Sequence, residues 1–210
     1  MSETVPPTGK KRRVLLKLSG ESLLGSGAYG IDDNVVDTYA KQVVAVAKSG
    51  IEIAVVLGGG NIYRGIQAEQ QGGDRVQGDH MGMLATMINS LALQSAIEAM
   101  GHETRLMSAI SMQQIAEMYV RRRAVRHLEK GRIVIFGCGM GQPFFTTDSA
   151  AAERAIEINA DLVLKGTRVD GIYTADPMKD KGAQRFSVIS PTTVHQRGYQ
   201  VMDMTAFTIC

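Results

Sequence analysis

The sequence predicts an α/β fold with a mostly parallel central sheet and helices covering both faces. Short apolar runs alternate with helical patterns from residue 13 onward, and the runs are apolar almost throughout, as in strands buried on both faces of a parallel sheet. A third observation concerns the loops. Glycine and charge recur where the predicted strands end, the edge at which open α/β sheets bind ligands.

The elements follow in order. VLLKLS (14–19) is a strand, and IDDNVVDTYAKQVVAVAKSG then sets Val36, Tyr39, Val43 and Ala47 at helical spacing. Asp32 or Asp33 caps that helix and Gly50 terminates it. IEIAVVL (51–57) is a second strand and runs directly into three glycines. A helix over 79–100 comes next, with Met83, Leu84, Met87, Ile88, Leu91 and Ser95 as its stripe and Gly101 at its end. TRLMS (104–108) is the third strand. MQQIAEMYVRRRAVRHLEKG reads as a helix closing at Gly131, before the strand RIVIFG (132–137). TTDSAAAERAIEIN and DLVLKG (161–166) form the last helix and strand pair.

A chain of 210 residues is expected to form about one domain. Residues 1–12 are expected to be a disordered tail, with the Lys10 to Arg13 cluster solvated, and residues 13–210 the folded domain. The balance of 23 Lys+Arg against 21 Asp+Glu gives no whole-protein field to attract nucleic acid or a membrane, so any charged ligand must be met locally. Cys138 and Cys210 lie far apart without metal-ligand spacing, which points to a reducing, cytoplasmic setting. No signal-like segment or membrane-length apolar run occurs.

Four strand ends carry the chemistry: LSGES, GGGNIYRG, GCGMGQPFFTTD and KGTRVDG. Glycine lets backbone N–H groups approach an anion, and helix N-termini or cations stand nearby, so the set predicts a phosphate site. No Walker motif occurs. GSGAYG (25–30) matches a dinucleotide fingerprint but is separated from its strand, and the acid Glu52 begins the second strand rather than ending it. It is read as a mobile loop beside the site.

Lys17 interrupts one apolar strand and Lys165 ends another, so the pair can neutralise a transferring phosphoryl group from two sides. Arg64 adds a forked donor beyond the glycines. Thr146 or Thr147 either caps a helix or holds an acceptor phosphate. Asp148 either complements the helix dipole or sits between the lysines and holds their ammonium groups. Asp79, at the start of its helix, either caps it or accepts from ribose hydroxyls.

KLSGE, GGGN-x-x-RG, GDHMGMLAT, GQPFFTTDSAA, LKGTRVDGIYTADP and VMDMTAFT resemble the bacterial uridylate kinases of the amino acid kinase family, over nearly all of residues 13 to 210. The resemblance implies a three-layer α/β/α sandwich, assembly as a homohexamer, and transfer of the γ-phosphoryl of MgATP to UMP in pyrimidine nucleotide synthesis. It assigns ATP to Lys17, Leu18, Ser19, Gly20, Gly60 and Arg64, with Thr167, Tyr173 and Asp176 around the nucleoside. It assigns UMP to Gly59, Asp79 and the run Met140, Gly141, Gln142, Pro143, Phe144, Phe145, Thr146 and Thr147. Lys17, Lys165 and Asp148 are its catalytic set. No protein metal cage is expected, because Mg²⁺ would arrive with ATP.

Relatives of this kind continue past TAFT into a further helix and strand, so a sheet edge is expected to be absent. Many bind GTP as an activator and UTP as an inhibitor. Arg105 and Arg132 match GTP positions, while Gln94 and Glu98 stand where some relatives carry basic residues. Within the fold, kinases of carboxylates or carbamate share the glycine loops but have no need of PFFTTD. In another class, a nucleic-acid-binding regulator would use Arg121, Arg122, Arg123 and Arg126 and bind with a steep salt dependence.

Overall fold

A computed structural model describes residues 11–64, 72–167, 169–199 and 202–209. Most of the expected tail, with Lys10, and Cys210 lie outside the described residues. Strand β1 (Arg13–Leu18) pairs with β2 (Glu52–Leu57) on one side and β6 (Leu162–Gly166) on the other. Beyond β2 follow β5 (Ile133–Gly137), β3 (Thr104–Ser108) and a short β4 (Glu117–Met118). The order is β4-β3-β5-β2-β1-β6 and every pairing is parallel, so all six carboxyl ends share one edge of the sheet.

Successive side chains of a strand face opposite ways, which divides the core in two. Leu18, Val55, Leu57 and Ile135 pack beneath helices α1 (Asp33–Lys48) and α2 (Arg75–Ala99). Leu15, Ala54, Val56 and Phe136 pack beneath α3 (Arg121–Glu129) and α4 (Thr147–Glu157). Lys17 shares the face of Leu15 and therefore looks toward α4. Four of the six buried residues of α4 are alanine, Ala150, Ala151, Ala152 and Ala155, beside Ser149 and Arg154, and such small side chains let a helix lie close on the sheet. Two short helices, α5 (Pro191–Arg197) and α6 (Met204–Ile209), follow β6, and α6 packs on α4.

Local signals hold where they were strong. Asp32 caps α1 by accepting from the N–H groups of Asn34 and Val35, and Gly50 follows it at φ 90°. Four expectations change. Helix α2 starts at Arg75, capped by Asp74, so Asp79 lies a turn inside it and is not a cap. Leu84, Ile88 and Leu91 do not join the buried stripe. They are 50, 48 and 38% exposed, while Met83, Met87, Leu93 and Ile97 are buried, because the helix is apolar on two faces and only one meets the sheet. The helix expected from Met112 begins at Arg121, since the preceding residues turn and add β4 to the edge of the sheet. Finally, Arg13 is not solvated. It is the first residue of β1, 6% exposed, ion-paired to Glu52 at 2.6 Å and bonded to the Ile158 carbonyl.

Candidate active site

Lys17 and Lys165 are direct partners in the β1–β6 ladder, so two ammonium groups stand side by side where those strands end. Asp148, second residue of α4, reaches between them: Lys165 Nζ donates to Oδ2 at 2.7 Å, and Lys17 Nζ lies 2.8 Å from Oδ1 as an ion pair without hydrogen-bond alignment. Burial pushes the Asp148 carboxyl up, but the charge of Lys17 and the hydrogen bond from Lys165 outweigh it and hold the carboxyl below its ordinary value. It is therefore ionised at neutral pH, and two cations share one anion. The surplus positive charge faces the strand ends.

The glycines beside this cluster have two separate purposes. A Cβ on Gly20 would meet the Gly58 carbonyl at 2.6 Å, and one on Gly59 would meet the Gly82 carbonyl at 2.8 Å and Ala85 Cβ at 2.8 Å. Gly20, Gly58 and Gly59 are thus bare so that loop packs on loop and on α2, where the sequence suggested only approach to an anion. Gly60 fits that first reading better, since a Cβ there would meet only the Arg64 side chain. Among the described residues, the amides of Gly59 and Gly60 donate to no protein carbonyl. Asn89 holds the loop from within α2, donating to the Gly58 carbonyl at 2.6 Å and to Asn61 Oδ1 at 2.7 Å. Asn61 also donates to the carbonyl of Gly30, tying down the end of the GSGAYG loop. Arg64 pairs with Glu21, in the turn after β1.

The segment after β5 bends sharply. Cys138, Gly139, Gly141 and Phe144 all have positive φ, a conformation that costs about 1 to 3 kcal/mol for a residue other than glycine. The Cys138 amide is held by Thr86 Oγ1 at 2.9 Å and the Phe144 amide by Asp79 Oδ2 at 2.8 Å. Asp79 therefore joins the run Met140 to Thr147 directly. Thr146, not Thr147, is the cap of α4, accepting from the amides of Asp148 and Ser149. Thr147 sets its hydroxyl against the Gly58 loop, 3.6 Å from where a Cβ on Gly58 would stand.

On the other side of the lysines opens a cleft of about 940 Å³, lined by Lys17, Leu18, Ser19, Lys165, Thr167, Tyr173 and Asp176, among others. Gly20, Gly60 and Arg64, expected on this side, are not part of its wall. Thr167 hydrogen-bonds the backbone of Val169 and Tyr173 donates to Asp170, so the wall is internally braced. The sequence did not single out three contributors. Tyr39 packs against the core as its place in the α1 stripe predicts and also lines this cleft, as does Arg197 at the end of α5. Asp203 accepts from the hydroxyls of Thr146 and Ser149 and from the Ala206 amide, tying the start of α6 to the start of α4. The VMDMTAFT motif contains it, but nothing local shows that it reaches α4.

Among the described residues no cluster of three His, Cys, Asp or Glu side chains could hold a metal, and no helix is long and apolar enough to cross a membrane. The site is a cationic, glycine-lined edge with a cleft on one side and a strained loop on the other. Such an edge can hold anionic groups on both sides of the lysines.

The model of the amino acid kinase family matches residues 12–210. The chain belongs to the amino acid kinase family. It is 58% identical to a uridylate kinase of Salinibacter ruber over 199 residues, covering 95% of this chain and 77% of that protein. Its fold matches the crystal structure of UMP kinase from Bacillus anthracis with a TM-score of 0.91 at 42% identity, over 94% of this chain and 82% of the other. The UMP kinase of Ureaplasma parvum matches with a TM-score of 0.91 at 36% identity, over 96% and 86% of the two chains. Within this amino acid kinase, Arg105 pairs with Glu117 and Arg132 with Glu103, joined through His127, all at the β4 side of the sheet away from the lysines. Gln94 donates to Glu98 and Thr104 close by. The arginine-rich helix α3 is partly engaged too, Arg121 donating to the Glu157 carbonyl.

Proposed function

We propose that this enzyme transfers the γ-phosphoryl group of ATP to UMP, giving ADP and UDP. The observation that carries the reading is the Lys17–Asp148–Lys165 cluster, which separates a nucleotide-sized cleft from the loop running from Met140 to Thr147. ATP occupies the cleft, with its sugar and base toward Thr167, Tyr173 and Asp176 and its phosphates toward Lys17, Ser19 and Gly20. UMP lies across the Gly59–Asp79–Phe144 side, its phosphate toward Thr146 and Thr147, while Arg64, paired with Glu21 of the cleft wall, serves the ATP phosphates. An oxygen of the UMP phosphate attacks the γ-phosphorus, the bond to the β,γ-bridging oxygen breaks, and ADP leaves with that electron pair. The acceptor is already ionised near pH 7, as phosphate monoesters with a second pKa of about 6 are, so no general base is needed. Lys17 and Lys165 stabilise the charge spread over the transferring group, and Asp148 fixes them in place beforehand.

Magnesium carried in with ATP would supply further neutralisation of the donor phosphates. The chain fits that role by leaving the ion to phosphate and water ligands, since its one buried acid at the cluster is engaged by both lysines. A kinase of carboxylates is the weaker reading, because the acceptor loop is built around a helix cap and two threonines suited to a phosphate.

The reading extends to a homohexamer, supported by the apolar row on α2, to GTP activation through Arg105 and Arg132 with UTP as inhibitor, and to a cytoplasmic enzyme whose kinase domain is residues 13–210. The test is ADP release from purified protein with MgATP and, in parallel, UMP, CMP, AMP, acetylglutamate, aspartate or no acceptor. Turnover that depends on UMP is expected. Turnover with acetylglutamate or aspartate instead would replace the nucleotide acceptor by a carboxylate.

A further inference from the structure

We infer that Arg75 is a positioning residue for the acceptor nucleotide, acting through Asp79 and Phe144; the inference rests on the acceptor side assigned above. Arg75 opens α2 and lies one turn before Asp79, so both side chains share a face of the helix. Its Nε lies 3.0 Å from each oxygen of the Asp79 carboxylate. One guanidinium nitrogen shared between both oxygens holds the carboxylate in place, and the planar group it belongs to also lies over the Phe144 ring, where a lysine ammonium would not stack. One of those oxygens, Oδ2, also accepts the Phe144 amide at 2.8 Å, across 65 residues of sequence.

Phe144 closes the triangle. Its φ of 70° is unfavourable for a side chain of that size and persists only where neighbours impose it. Burial does not impose it, since the residue is 66% exposed. The restraints in view are the Asp79 carboxylate on its amide and the Arg75 guanidinium over its ring, 5.7 Å from the centroid. Two residues later the chain reaches Thr146, whose hydroxyl caps α4. Arg75 thereby holds the acceptor loop in one shape and leaves the cleft on the ATP side untouched.

The test measures the KM for UMP and for ATP in Arg75→Ala, Arg75→Lys, Asp79→Asn and the double variant Arg75→Ala/Asp79→Asn, with melting curves for each. Arg75→Ala is expected to raise the KM for UMP about tenfold, which corresponds to about 1.4 kcal/mol, with kcat and the KM for ATP within about twofold of the parent. Arg75→Lys falls between Arg75→Ala and the parent, since it restores the charge beside Asp79 but not the planar group over the Phe144 ring. Because Arg75 and Asp79 restrain the same residue, Phe144, the double variant falls short of the product of the two single effects. Multiplicative effects, an equal rise in the KM for ATP, or an unchanged KM for UMP would overturn the role. Loss of folding in both Arg75→Ala and Arg75→Lys would replace it with a structural one. The parent is measured first: no turnover of UMP there would defeat the proposed function itself, whereas turnover in the parent with an unmoved KM in Arg75→Ala defeats only this inference.

Discussion

Lys17 and Lys165 stand level on neighbouring strands, and the carboxylate of Asp148 is what lets two ammonium groups remain there. All three side chains are largely withdrawn from water, at 9, 21 and 13% exposure respectively, so removing the shared anion leaves two buried cations facing each other. Asp148→Asn is expected to cost about 3 kcal/mol at neutral pH, the low end for a broken buried pair because Lys165 keeps some solvent; denaturant unfolding measures it. The carboxyl's folded pKa lies below its unfolded value, so the stabilisation is complete above the ordinary aspartate value of about 3.9 and is lost as pH falls through the folded pKa. The stability gap between parent and Asp148→Asn should therefore be constant from pH 5 to 8 and close at lower pH, and a gap that widened on acidification would contradict the assignment. Lys17→Ala removes one of the two cations at the transfer point. Turnover should fall by roughly 10²-fold or more with the circular dichroism spectrum retained, and a variant keeping a tenth of parental turnover would sink the role.

Elements meet in this protein through absences of side chain as much as through side chains. Strand β2 ends against α2 with only glycine between them, and an added methyl at Gly59 would stand 2.8 Å from backbone oxygen that cannot move aside. Gly59→Ala should cost about 1 to 3 kcal/mol through overpacking, lowering the melting temperature by about 2 to 12 °C. Gly60→Ala meets only the flexible Arg64 side chain and should melt close to the parent. Equal melting losses in both variants would show that the loop's conformation, not its packing on α2, demands glycine. Helix α4 makes the opposite point: four buried alanines bring its N-terminus to the lysines, and Asp203 on the α6 side holds its cap.

At the scale of the molecule, Met81, Leu84, Ile88 and Leu91 form one outward apolar row along α2, the surface on which the proposed assembly would rest. Strand β6 is a second place where apolar residues, Leu162, Val163 and Leu164, meet solvent, at a sheet edge that among the described residues pairs with β1 alone. The parent should elute as an oligomer in size exclusion with light scattering, and Ile88→Glu should shift it toward the monomer. A parent that is already monomeric at micromolar concentration would remove the hexamer from the proposed function.

The alternation of strand and helix was legible because period and apolarity are local properties, and so β1, β2, β3, β5 and β6 appear within a residue or two of where the residues themselves put them. That the glycine-bearing strand ends would meet was legible for a related reason: in a parallel sheet every carboxyl end shares one edge, so loops distant in sequence are neighbours by topology alone. The short β4 and the late start of α3 were not legible, since MQQIAEMYV carries a helical pattern that pairing with β3 overrides. Nor did the stripe of α2 reveal which of its two apolar faces the sheet would cover. The sequence by itself determined the fold class, the lysines, the glycines and the cap at Thr146 or Thr147. Only the tertiary structure decided that Lys17 and Lys165 share a rung, that Asp79 holds the Phe144 amide, and that Asp203 braces the start of α4. Each of those joins residues many positions apart, where register and side-chain direction, which no local pattern encodes, decide who meets whom.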